Sequence, residues 1–415
     1  MLATLNPKAP YSTLRRLLEL PSQLRTFATS ALDRNQLDDK LLAEALRGQT
    51  ESNGFAPMDY SRKQKEKTAP AIPRPSSSVL LVSPSNQVLL LQRVKQSSSF
   101  ASAHVFPGGN VSAYHDGTLP PPESPQRHED SEIYRMAAIR ETFEESGILL
   151  ARNNGFGRLL EVPESEREQG RRLVHDNKAP FATWLAQQGG RADTEGLTPF
   201  TRWVTPTNVP KRFTTQMYLY FLPTLSAPPL PGASSQDDGD GEGEAEVTIP
   251  APTTDGGREH TTARFLPAAA WLRLAQEGRV ILFPPQFFLL HQVAQHFDQL
   301  ASPTDYASIS RRGLPREELE ARRKSLLAFV TGTGEPRWTE KCISPGVQPP
   351  RDGKRRVDGR VVLGLNRPGP ELEDAKTGRK GVAEQCVLVD FKKEGPRRLA
   401  VISREEALSG EVAKL

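Results

Sequence analysis

Cysteine is almost missing from this sequence: Cys342 and Cys386 are the only two in 415 residues, far apart and without metal-ligand spacing. That argues against a disulfide framework or a zinc site, and a reducing compartment fits best. Long apolar runs are missing as well. No stretch approaches the roughly 20 residues that span a bilayer, so no membrane span is expected. Aromatics are 7% of residues and are not interleaved with the scattered Lys and Arg, which argues against a nucleic-acid platform. Net charge is only +4, as compatible with an ordinary solvated surface as with an anionic small-molecule ligand. Apolar residues are scarce too, at 36%, while Pro and Gly number 36 and 31. Much of the length therefore reads as loop, insert or tail around one sizeable core and a small annex.

Both ends carry possible addresses. Residues 1–32 set Lys8, Arg15, Arg16 and Arg25 against the single acid Glu19. Arg25-Thr-Phe-Ala-Thr-Ser30 resembles the cleavage region of a mitochondrial presequence, with a plain N-terminal tail as the alternative. Ala413-Lys414-Leu415 resembles the tripeptide read by a peroxisomal import receptor. Peroxisome and mitochondrion both stay open as locations.

Residues 33–77 read as a polar linker. Val79–Val82 and Val88–Arg93, separated by a Ser-Pro-Ser-Asn turn, predict a β-hairpin. His104–Phe106 predicts a short strand ending in Pro107-Gly108-Gly109. Ser131–Ser146 has helical apolar spacing, and Gly147 is a helix stop. A strand is expected to start at Ile148–Leu150. Further strands are expected at Trp203–Val204, Gln216–Leu222 and Thr261–Leu266. Helices are expected over Phe181–Gln188, Pro267–Gln276, Pro285–Gln299 and Arg316–Val330. Residues 226–258, where Pro, Gly and Ser flank six acids between Asp237 and Glu246, read as a solvated insert. Arg360–Leu365 and Gln385–Phe391 are expected to pair outside the main core. The domain reading is therefore 78–300 for the main domain, with inserts at 110–131 and 226–258, and 301–415 for an annex and tail.

The chemistry is concentrated in Arg140-Glu141-Thr142-Phe143-Glu144-Glu145-Ser146-Gly147. On a helix, Glu141 and Glu145 share a face and Glu144 flanks them. Like charges so close repel, and a hard divalent cation such as Mg²⁺ relieves the repulsion by taking carboxylate oxygens. Arg140 can neutralise a neighbouring carboxylate, most simply Glu132, eight residues earlier. The rival reading is a solvated acidic face paired with Arg140. It predicts neither the upstream Gly108-Gly109 turn nor the surrounding strand pattern. Chance occurrence of the charged and Gly positions is about one per million sites.

These residues match the Nudix box, with Thr142 standing where that box has an apolar residue. Between Gly109 and Glu132 lie 22 residues where the superfamily normally has five. The proline-rich excess reads as a surface loop, which adds little closure entropy. The chain resembles the coenzyme A and acyl-coenzyme A diphosphatase branch of Nudix enzymes. The resemblance is carried by Leu89–Arg93, His104–Gly109, Ala137–Gly147, Trp203–Pro206, Pro210–Thr215 and Phe283–Phe288. It implies the α/β class: a Nudix α/β/α sandwich with a mixed, curved sheet, here with a C-terminal α+β annex. It also implies a hydrolase using Mg²⁺ or Mn²⁺ to cleave coenzyme A or acyl-coenzyme A into 3′,5′-ADP and 4′-phosphopantetheine, acylated or not.

Glu141, Glu144 and Glu145 are the implied metal ligands, with Glu132 and Arg140 in support. Substrate contacts are expected from Gly108, Gly109, Lys211 and Arg212, although Lys211 and Arg212 read equally well as a solvated strand start. The general base is open between a box glutamate and Glu259, whose bland reading is a solvated loop residue. His104 reads as a packed histidine before it reads as a site residue. ADP-ribose, NADH or another nucleoside diphosphate derivative is the alternative substrate. A non-catalytic nucleotide-binding or scaffold module is the alternative of another class, but it predicts lost box acids, and all are present.

Overall fold

Val79, Leu80, Leu81 and Val82 are all fully buried, so the strand they form must be covered on both faces. That strand is β1 (Arg74–Val82), followed by β2 (Val88–Arg93), β3 (His104–Val105) and β4 (Gly108–Asn110). Then come α1 (Glu132–Ser146), β5 (Ala151–Asn153), α2 (Glu164–His175), α3 (Phe181–Gln187) and β6 (Gly190–Ala192). β7 (Thr198–Val204), β8 (Phe213–Phe221), β9 (His260–Leu266), α4 (Ala268–Gln276), α5 (Pro284–Phe297) and α6 (Arg316–Thr331) follow. The C-terminal part holds β10 (Cys342–Ile343), β11 (Gly346–Val347), β12 (Val361–Leu365), β13 (Val382–Lys392) and β14 (Gly395–Ser403).

The structure is a computed structural model. It describes residues 70–409 except 95–101, 155–158, 225–251, 254–259, 299, 301, 303, 307–313 and 349–355. The described residues fall in one unit, Met58–Leu415. Both terminal addresses, most of the linker and acidic insert, and Glu259 lie outside them.

The main sheet has the order β10-β7-β8-β1-β2-β3, with β4 also on β1 and β9 also on β2. It is mixed: β1 runs parallel to β8 and β10 parallel to β7, while β1–β2 and β7–β8 are antiparallel. Alternation along the strands sends side chains to two cores. Val79, Leu81, Leu89 and Tyr218 pack with Tyr134, Ala138 and Phe143 of α1 and with Phe181 and Trp184 of α3. Leu80, Val82, Leu90 and Leu219 pack on the other face with Trp271 of α4 and Phe287 and Leu290 of α5. The result is the expected α/β/α sandwich. Among the described residues no helix is long and apolar enough to cross a membrane.

Three expectations are corrected. Ile148–Leu150 does not start a strand; it is a buried connection into β5, which forms a two-stranded sheet with β6. Helix α2 was not expected, because its sequence is mostly charged. It is held by i,i+3 and backbone bonds from Arg171, and by Gly170, where an added Cβ would meet the Trp184 ring at 2.3 Å. The third concerns the C-terminal strands. β12 and β13 do pair, in the antiparallel sheet β11-β12-β13-β14. Yet Leu363, Leu365, Val387, Val389 and Leu399 join the same buried cluster as Phe288 and Leu290. β10 also adds an edge to the main sheet beside β7. The annex sheet therefore shares the main core instead of standing apart from it.

Candidate active site

Helix α1 presents the box. Its apolar face lies on β1, where Ser77 Oγ donates to the Tyr134 carbonyl at 2.7 Å. Thr142, which stands at an apolar box position, is fully buried, and its hydroxyl donates to the Ala138 carbonyl at 2.8 Å. With its hydroxyl satisfied inside the helix, Thr142 fills an apolar place. Gly147, at φ 72°, stops the helix in the left-handed conformation that glycine adopts without strain.

The Gly108-Gly109 turn sits directly over the helix. The Gly108 N–H donates to Glu145 Oε2 at 2.8 Å. A Cβ on Gly108 would lie 2.3 Å from the Ser77 carbonyl oxygen, and one on Gly109 would lie 2.5 Å from the Glu141 carboxylate. Both glycines thus allow a backbone approach that no side chain permits. The structure brings Gly108, Gly109, Arg140, Glu141, Glu144 and Glu145 together, as the sequence suggested.

It does not bring in Glu132. That residue is exposed at the first position of α1. Arg140 instead pairs with Asp116, at 2.9 Å from Nε to Oδ1 and 2.8 Å from Nη2 to Oδ2. The same guanidinium donates from Nη1 to Glu141 and Glu144, each at 2.8 Å, and from Nη2 to the Asn110 carbonyl at 2.9 Å. Asp116 lies seven residues after Gly109, within the insert read as a surface loop. The carboxylate serving Arg140 is counted from the Gly-Gly turn, and the excess chain is inserted after it. Burial works against the charge on Arg140, but Glu141, Asp116 and Glu144 outweigh it and hold the guanidinium firmly protonated.

Two histidines that the sequence reading passed over also join the site. His175, at the end of α2, lies with Nδ1 3.2 Å from Glu144 Oε2. His260, fully buried at the start of β9, has Nε2 3.6 Å from Glu145 Oε1. Neither sits in a motif; only the fold of distant segments brings them here. His260 thus brings the start of β9 to Glu145. His104 is packed: its ring lies 5.5 Å from that of Trp271, and burial pushes it down to about 4.

Lys211 is exposed, and Arg212 is buried with its donors directed to the carbonyls of Thr205 and Ala71 and to Glu371. No contact joins either to the box carboxylates among the described residues. The structure thus places Lys211 and Arg212 away from the box helix.

Among the described residues, no three acidic, histidine or cysteine side chains converge as a ready metal-ligand set. As placed, Arg140 draws one oxygen each from Glu141 and Glu144, and Gly108 holds one of Glu145. The donor set nevertheless suits a hard dication. Asp116, Glu141 and Glu144 all meet Arg140, and Glu145 bonds the adjoining Gly108 N–H. Burial pushes the Glu141 carboxyl up to about 7; Arg140 opposes the shift and Glu144 adds to it. Such an excess of desolvated carboxylate is what an oxygen-seeking divalent ion relieves.

The mixed sheet, the Gly-Gly turn and the carboxylate helix resemble the site of a Nudix hydrolase. Residues 124–237 match the family model described as the NUDT19 Nudix domain. The chain is 29% identical to the acyl-coenzyme A diphosphatase NUDT19 of Gallus gallus, covering 37% of this chain and 51% of that protein. It is 30% identical to the protein of that name from Xenopus laevis, covering 29% and 42%. The chain thus spans about half the length of the curated relatives it matches, or less. A NUDIX hydrolase crystal structure from Alicyclobacillus acidocaldarius aligns at 20% identity with a TM-score of 0.40, covering 59% of this chain and 98% of that one. The sequence and family findings support a Nudix hydrolase resembling the coenzyme A diphosphatase branch.

Proposed function

We propose that this chain hydrolyses the diphosphate of coenzyme A or its acyl esters, releasing 3′,5′-ADP and 4′-phosphopantetheine, acylated or bare. The observation that carries the reading is Arg140 held by Glu141 and Glu144 while the next helix residue, Glu145, bonds the Gly108-Gly109 turn. The choice of coenzyme A rests on the names of the matched relatives.

Glu141, Glu144 and Glu145 would hold Mg²⁺ or Mn²⁺. Bound there, the ion would supply Lewis acidity to a phosphate oxygen and to the attacking water. The protein's share is positional. Gly108 fixes Glu145 through its N–H, and Arg140, braced by Asp116, fixes Glu141 and Glu144. The bare backbone at Gly109 lets the Glu141 carboxylate lie directly against the turn. Water adds to one phosphorus, the bridging P–O bond breaks, and the leaving phosphate takes the electron pair; the water proton passes to a carboxylate.

The test is to incubate purified protein and Mg²⁺ separately with coenzyme A, acyl-coenzyme A, ADP-ribose and NADH, and to identify products by mass. The reading expects 3′,5′-ADP and a phosphopantetheine from the coenzyme A substrates. Turnover of ADP-ribose or NADH alone would assign the same site to the alternative substrates.

A further inference from the structure

A second polar cluster lies beside the first turn of α1, and the hydrolytic site makes no use of it. Arg202, on β7, is fully buried. Its Nη1 donates to Thr214 Oγ1 at 3.2 Å and its Nη2 to the Glu129 carbonyl at 2.8 Å, and its guanidinium lies 4.4 Å from the centre of the Tyr134 ring. Among the described residues no carboxylate pairs with it, and its Nε has no acceptor.

Another arginine reaches the same groups. Arg379, from the C-terminal annex, donates to the His128 carbonyl at 2.6 Å and to the Glu340 carbonyl at 2.9 Å. His128 Nδ1 is bonded to Thr214 Oγ1 at 2.9 Å, the same hydroxyl that Arg202 uses. Arg127 adjoins His128, and Arg212 stands two residues before Thr214. The Nε of Arg127 and the Nη2 of Arg212 are also buried without an acceptor. Glu371, paired with Arg212, is the cluster's one carboxylate in an ion pair, and its Oε2 is likewise unpartnered. The side chains of Glu129 and Glu340 bear on Arg379.

A guanidinium does not discharge by losing its proton. Buried without a counter-charge, it is costly, and the positive end of α1 adds to the cost. A fully buried Arg202 whose Nε lacks an acceptor, with Arg379 held on the adjoining His128 carbonyl, therefore calls for an anion. The guanidinium fork matches the oxygens of a phosphate-type oxyanion.

We propose that Arg202, with Arg379, holds a small phosphate-type oxyanion between the main sheet, the 110–131 insert and the C-terminal annex. Because Arg202 is fully buried, the occupant is the free ion and not a group on the hydrolysed substrate. It would brace the segment that carries Asp116 and leads into α1.

The test uses the whole chain, dialysed free of phosphate and with metal chelated. Its melting temperature and binding heat are followed as inorganic phosphate is added, with chloride at matched ionic strength as the control. The proposal expects a phosphate-specific rise in melting temperature. Glu145→Gln should keep that rise, which separates it from binding at the box. Arg202→Gln should abolish it. Should that variant fail to fold, Arg379→Gln, at the partly exposed side, should weaken phosphate affinity at least about tenfold. No phosphate-specific rise in the wild type, or an equal rise in Arg379→Gln, would mean an adventitious ion only and would overturn the proposal.

Discussion

Asp116 and Arg140 form a two-pronged ion pair, with side-chain exposures of 0% and 5%. Removing one partner strands the other as a buried charge, which typically costs about 3–5 kcal/mol. Asp116→Asn is therefore expected to lower the urea midpoint clearly and to cut turnover about tenfold or more, because Arg140 would no longer be held against Glu141 and Glu144. Glu132→Gln should leave both nearly unchanged. Parallel unfolding curves and rates for the two variants check this. Equal losses in both would restore Glu132 to the site.

The contrast between these two acids shows how far the sequence could be read. Glu141, Glu144 and Glu145 were legible because a helix turns i, i+3 and i+4 spacing into one face. The β1–β2 hairpin and α1 were legible from alternation and period. Asp116 was not, because an acid at the usual count before Arg140 offered a ready partner, and only the path of the insert shows which acid is near. His175 and His260 were illegible for a different reason: helix α2 and the start of β9 reach the carboxylates through tertiary packing. Arg212 matched a phosphate-binding type, but its donors are directed to carbonyls and Glu371, which a local pattern cannot reveal.

The annex provides a second test. Leu363, Val387 and Leu399 are buried in one cluster with Phe288 and Leu290 of α5. Ending the chain after residue 300 would expose that face of α5 to water. The truncated protein is expected to aggregate or to lose cooperative unfolding, checked by its elution profile and melting curve. A soluble truncation melting like the full chain would show that the annex is a separate module.

His291 gives a prediction in pH. Burial pushes its pKa down from 6.5 to about 4. The unfolded chain then binds more protons between these values. The contribution of His291 is therefore fully present above about 6.5 and is lost as pH falls toward 4. By pH 5 the loss is about 2 kcal/mol. His104 and His128, also pushed down to about 4 by burial, act in the same sense. Asp298, pushed up to about 6 by burial, opposes them, since its protonated form favours the fold as pH falls. Stability should drop from pH 7 to pH 5, and His291→Gln should make that drop smaller. Urea unfolding at the two pH values measures both slopes, and identical slopes would remove His291 from the account.

The central claim is that the carboxylate helix performs the hydrolysis, and Glu145 tests it most directly. Its carboxylate is fixed by the Gly108 N–H at 2.8 Å. Glu145→Gln keeps the shape and removes the charge. The decisive measurement is the rate of 3′,5′-ADP release from an acyl-coenzyme A at saturating Mg²⁺, for wild type and variant, with melting temperature as the control for folding. The account predicts a folded variant whose turnover falls at least about a hundredfold. A folded variant with near-normal turnover would contradict it.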